Sequence, residues 1–137
     1  MRKDLHNNID VRRAISPKRE TTNAASASQI IDRKGYESLE FVIVAGTLAT
    51  AAATFTPSLE HGDESNLSDT ASPAATELLG TLAEATFDGA DDDTVYKIGY
   101  RGTKRYVRLT ITSASNTGNA DFAAVAILSN PQKAPVA

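Results

Sequence analysis

The chain has no cysteine, no tryptophan and a single methionine, and no apolar run approaches the ~20 residues of a bilayer-crossing helix. Without cysteine there is no disulfide framework, no thiolate nucleophile and no sulfur-ligated metal, so packing alone has to hold the fold. The amino-terminal MRKDLHNNIDVRR lacks the apolar core of a signal peptide, and the reading is a soluble protein made in a cytoplasm. Large apolar side chains are scarce too. Among 137 residues, Leu, Ile, Val and Phe number 29, whereas Ala alone numbers 22. That larger set sits just above the level of roughly 20% below which chains tend to stay disordered. One modest core is expected, and two are not.

What is present is unevenly placed. The net charge is -3, which speaks against a general nucleic-acid binder. Basic residues outnumber acidic ones between Arg2 and Arg19, and Glu60 to Asp93 holds ten acidic residues and no basic one. Lys97, Arg101, Lys104, Arg105 and Arg108 make the next stretch basic again. Such a dipolar layout suits docking against complementary protein surfaces.

Residues 1–27 read as an extended amino-terminal arm. Their apolar residues, Leu5, Ile9, Val11 and Ile15, fit neither a helical nor a strand period for long, which makes them anchors on an extended segment. From Ser28 the pattern changes. Gln29 to Arg33 is a short strand candidate, and the Lys34-Gly35-Tyr36 turn leads into Phe41 to Ala45, a β-branched run that reads as a strand buried on both faces. Thr47 to Ala53 then reads as a tight connection. Phe55, Pro57 and Leu59 share one face of the next strand, which Pro57 assigns to an edge. Ser72-Pro73 opens a helical turn through Glu77 to Leu79, and LAEATF forms a short strand. TVYKIGY and KRYVRLTIT flank the short loop RGT and form the clearest hairpin, its glycine taking a positive φ. On the second of these strands Val107, Leu109 and Ile111 share a face. DFAAVAILSN alternates again, and residues 131–137 read as a tail. Roughly seven or eight short strands without a sustained helix give an all-β fold, an antiparallel β-sandwich of jelly-roll-like kind over residues 28–130 with the arm in front.

Chemistry is sparse. A nucleophilic Ser or Thr needs a base, and His6 and His61 both read as surface residues; no enzyme activity is expected. No glycine-rich phosphate loop occurs, and no cofactor is expected. Asp91 to Asp93 and His61 to Glu64 with Asp69 lack the spacing of a Ca²⁺ loop and read as solvated turns rather than a metal site. Arg101, Lys104, Arg105 and Arg108, with Tyr96, Tyr100 and Tyr106 nearby, admit a nucleic-acid platform, but the acidic balance favours a protein contact. No membrane contact is expected.

The passages DLHNNIDVRRAISP, SQIIDRKGYESLEFVIVAG, VYKIGYRGTKRYVRLTIT and NTGNADFAAVAILSNPQKAPV resemble small virion proteins of tailed bacteriophages and prophages. The resemblance covers much of the chain, least between Glu60 and Asp93, and brings no catalytic motif. It implies a structural protein of the particle, of the capsid decoration or cement type, on the outside of the major capsid protein shell. By analogy with other jelly-roll decoration proteins it implies a homotrimer. Leu5, Ile9, Val11 and Ile15 would then dock on neighbouring subunits, each contributing on the order of 1.5–3 kcal/mol before ordering costs, and Arg101, Lys104, Arg105 and Arg108 would meet acidic loops. A neck, tail or baseplate component and a carbohydrate-binding adhesion module are the alternatives.

Overall fold

Alternation of core-facing and outward residues builds nearly every long strand of the chain. The computed structural model describes residues 3–135. It contains ten strands: β1 (Ile9–Glu20), β2 (Ala25–Ala27), β3 (Ile31–Asp32), β4 (Tyr36–Leu48), β5 (Thr54–Gly62), β6 (Leu78–Leu79), β7 (Phe87–Asp88), β8 (Val95–Tyr100), β9 (Tyr106–Ala114) and β10 (Ala120–Pro131). Sheet I has the order β1-β10-β4-β8-β6, and sheet II the order β2-β9-β5-β7, with β3 also pairing β9. All the pairings are antiparallel. The result is an all-β sandwich of jelly-roll-like kind. Short 3-10 turns at His6–Asn8 and Ala75–Glu77 are the helical pieces among the described residues.

No two consecutive strands are hydrogen-bonded neighbours in this order. Apart from β2 to β3, each connection carries the chain from one sheet to the other. The expected hairpin is therefore a corner: β8 pairs β4 and β6 in sheet I, whereas β9 pairs β2, β3 and β5 in sheet II. Tyr100 explains it. Its side chain is buried at the end of β8, its hydroxyl bonds His61 Nδ1 at 2.8 Å and accepts from the Lys104 amide at 3.1 Å. The chain is thus wrapped around a phenol that belongs to the core, and the turn cannot fold flat. Gly102 has no positive φ. Its lack of a side chain instead makes room for the Tyr100 ring, which a Cβ there would overlap. Gly35 does take a positive φ of 89°, as the turn before β4 requires.

The core lies between the sheets. β10 turns Ala120, Phe122, Ala124, Ala126 and Leu128 inward. Ala126 stands opposite Phe41, and Ala124 opposite Ile43 on β4, so small residues beside large ones keep the layer level. From sheet II, Val107, Leu109 and Ile111 of β9 meet them with Phe55 and Leu59 of β5. Phe55 stacks on Phe87 at 4.9 Å and leans on Phe122 at 5.9 Å, while Phe87 stacks on Tyr96 at 5.2 Å. Aromatic rings from both sheets thus fill one end of the sandwich, and the Tyr100–His61 pair closes the other.

Several expectations change. Phe41 to Ala45 is buried on one face only, because Val44 points to solvent; an antiparallel sandwich has one layer per side, so the run has nothing to cover its second face. β4 extends through Leu48 into the expected connection. LAEATF is mostly a turn, with the Ala85 amide donating to Thr81 O at 3.3 Å, and only Phe87–Asp88 pairs. Pro57 does lie where β5 is open, since β7 pairs only Thr54 and Phe55. The amino-terminal segment is extended, and from Ile9 it is the edge strand of sheet I. Ala14 is the extra residue of a bulge between Arg13 and Ile15, which turns Ile15 inward opposite Ala124. Pro131 closes β10, and the Gln132 amide donates to Gly35 O at 2.9 Å. Residues 1 and 2 of the arm and 136 and 137 of the tail lie outside the described residues.

Candidate functional site

The two outer faces of the sandwich are chemically unlike. On sheet II the outward positions of β5 and β9 pair as Thr54 with Ala114, Thr56 with Thr112, Ser58 with Thr110 and Glu60 with Arg108. That face is small and polar. On sheet I the outward rows run Val11, Ile127, Glu40, Gly99, Leu79, then Arg13, Val125, Val42, Lys97, then Ala123, Val44, Val95. Val11, Val44, Leu79 and Val95 are 55%, 44%, 49% and 58% exposed. They account for all but one of the chain's exposed large hydrophobics among the described residues, the other being Leu5. Contiguous apolar surface of this kind marks an interaction site.

Local sequence explains the face. β4 and β10 carry β-branched residues at outward positions, Val42, Val44, Val125 and Ile127, which favour the pleated conformation whichever side they face. Glu40 is half-buried among them. Burial pushes its carboxyl up from the ordinary value, and Lys97 across the strand pair opposes the shift. Toward β1 the face meets Pro17, Gly46 and Ala123 in a shallow trough rimmed by the Arg19–Asp121 ion pair at 2.8 Å.

The sequence-derived anchors divide. Val11 and Ile9 lie on the outward side of β1, opposite Ile127 and Ser129, and Leu5 is exposed just before it. Ile15 is 4% exposed and belongs to the sandwich's own core, so it offers nothing to a partner. The basic residues are engaged within the chain. Arg105 makes two 2.8 Å bonds to Asp32, and that partner, chiefly by hydrogen bonding, holds the Asp32 carboxyl down at about 2. Lys104 pairs with Asp63 at 2.6 Å, Arg108 pairs with Glu60, and Arg101 Nε donates to Thr76 O at 2.7 Å. The aromatics near them are engaged as well: Arg105 lies over Tyr106 at 5.0 Å and Arg33 over Tyr100 at 4.8 Å.

His61 is buried, against its reading as a surface residue, while His6 is exposed. Tyr100 occupies Nδ1 of His61, a position where a triad would place a carboxylate or hydroxyl nucleophile. The acidic turns satisfy backbone amides. Asp69 accepts from the Asp63 and Glu64 amides at 2.8 and 3.2 Å, Asp91 from Asp88 at 3.0 Å, and Asp92 from Leu48 at 3.0 Å. Among the described residues no group of three or more His, Asp or Glu side chains is placed to hold a metal ion.

The outer face of sheet I was missed at the sequence level, although its signal was there. Two strands are apolar on both faces in a chain that has only two layers, so one apolar face had to remain outside.

Fold and surface together define a jelly-roll-like β-sandwich with one face fit for covering by another surface. No family model and no curated protein matches the chain. Among solved structures it is similar to the PBSX exported protein XepA, with a TM-score of 0.60 and 13% identity over 100% of this chain and 42% of that one. It also aligns with the CBM22-1–GH10 modules of Clostridium thermocellum xylanase 10B at a TM-score of 0.49 and 16% identity, covering 97% of this chain and 28% of that one. The infectious bursal disease virus Gx strain structure aligns at a TM-score of 0.49 and 9% identity, over 88% and 32%. The chain thus spans less than half the length of each. At such identities the likeness to XepA is one of fold.

Proposed function

We propose that the chain is a structural protein of a virion, of the capsid decoration type, acting through protein contacts rather than catalysis on the outside of the major capsid protein shell. The aliphatic outer face of sheet I carries this reading: a sandwich polar on one side and apolar on the other is suited to sit within an assembly. Bacteriophage-like passages along the sequence support the same role. A carbohydrate-binding role draws less support, since Tyr36, Tyr96, Tyr100 and Tyr106 are all at least partly buried, and each is engaged by an arginine or another aromatic ring. The test is to add the purified chain to shells that lack it and to measure co-sedimentation and shell melting. Saturable binding at many equivalent sites, with a higher shell melting temperature, is expected. Occupancy of a single vertex would assign it to the neck or tail, and no association with particles at any ratio would overturn the reading.

A further inference from the structure

The outer face of sheet I is apolar at its centre and oppositely charged at its two margins. Along β1 stand Arg13 and Arg19, both exposed, with Arg13 outward beside Val125. At the other margin, around β6 and β8, stand Glu84 and half-buried Glu40, lining one hollow with Leu79 and Val95. Lys97 near Glu40 offsets charge in the middle. A surface positive along one edge and negative along the opposite edge is complementary to itself when turned about a two-fold axis parallel to its strands.

We infer that this face is covered by a second copy of the same chain, packed sheet on sheet about such an axis through β4. This rests on reading the face as an assembly surface. Strand order and register then specify the contacts. With β10 and β8 flanking β4, and β1 and β6 outside them, the axis lays β1 of one copy over β6 of the other. Val11 and Leu79 occupy the same row and meet across the interface, and Ile127 comes over Gly99. Arg13 is brought toward Glu84 of the second copy, twice by symmetry. The contact is isologous, unlike the threefold ring implied by the resemblance. Sheets pack ~10 Å apart with strands within about 30° of alignment, which preserves these rows.

Size sets the strength. Five strands at ~4.8 Å spacing and three row steps of ~6.8 Å make a face of about 24 by 20 Å, or roughly 500 Å² in plan per copy. This lies below the ~800 Å² per partner of a standard stable interface. The dimer should therefore be reversible in the micromolar range when free, and held together by local concentration when docked on a particle.

The decisive experiment is sedimentation equilibrium of the intact chain from about 1 to 500 µM, with Arg13→Glu, Glu84→Arg, their equimolar mixture, Val44→Lys and, on the opposite face, Thr110→Lys. The wild type and Thr110→Lys should dimerise and Val44→Lys should stay monomeric. Each charge reversal alone should weaken self-association at least tenfold, and the mixture should restore it as a heterodimer. That rescue does not depend on how a single variant folds. A wild type monomeric at 500 µM, or a mixture no tighter than its components, overturns the inference. If the wild type stays monomeric but Val44→Lys loses shell binding, the face belongs to the shell, and the decoration reading stands while the self-association falls.

Discussion

Replacing Ile15 by Ala tests whether β1 is part of the sandwich or an arm laid against it. Ile15 is 4% exposed, between Ala124 on its own sheet and the opposing layer. Removing three carbons forfeits about 2.4 kcal/mol of transfer free energy at ~0.8 kcal/mol per methylene. Incomplete collapse of the cavity brings the expected cost to about 3 kcal/mol. With a urea m-value of ~1.5–2 kcal/mol/M, the midpoint should fall by roughly 1.5–2 M. Val11→Ala, four residues earlier on the exposed face, should cost less than about 0.5 kcal/mol when measured at low micromolar concentration. Urea titrations of both variants, followed by tyrosine fluorescence, provide the comparison. A loss at Ile15 no greater than that at Val11 would refute the placement of β1 in the core, and with it the bulge at Ala14.

Other perturbations follow from the two ends of the sandwich. Tyr100→Phe leaves His61 Nδ1 and the Lys104 amide without their partner and should cost about 1–3 kcal/mol, read by the same titration. Gly102→Ala drives a methyl into the Tyr100 ring and should cost about 1–3 kcal/mol through overpacking; an unchanged midpoint would contradict the corner geometry. Asp32, held at about 2 against its model value of 3.8, contributes stability that is present above pH ~4 and lost as pH falls toward 2. Asp32→Asn should therefore flatten the stability profile between pH 4 and 2, and high salt should diminish the difference, because the pair with Arg105 is partly exposed. Since no consecutive strands pair, folding should be slow for the chain's size, in milliseconds to seconds; stopped-flow refolding in microseconds would be inconsistent with this topology.

Much of the strand content was legible because it rests on a local period. Phe55, Pro57 and Leu59, and Val107, Leu109 and Ile111, fall on one face wherever their strands are placed, and the structure buries those faces. Pro57 told its own edge, since a missing N–H can be borne only where no partner strand needs it. The hairpin was misread for an equally local reason. RGT between two β-rich runs signals that the chain turns, but not whether the turn stays in one sheet or crosses to the other. That choice was made by Tyr100, whose hydroxyl finds His61, 39 positions away in sequence. Among the site residues, Val11 was legible as an anchor, but the arginines were not legible as spent charge. Their partners Asp32 and Glu60 lie 73 and 48 residues from Arg105 and Arg108.

By itself the sequence determined that this protein is built of short, alternating strands around one small, alanine-lightened core, because those properties depend on composition and on a period of two. Only the tertiary structure decided which side of each doubly apolar strand would be covered. A strand carries two faces, a two-layer sandwich can cover only one of them, and the layer that covers it comes from residues far away in the chain. The scarcity of large apolar residues makes the outcome more telling. With so few to spend, the chain still places Val11, Val44, Leu79 and Val95 on a single outer face, where packing within one copy has no use for them.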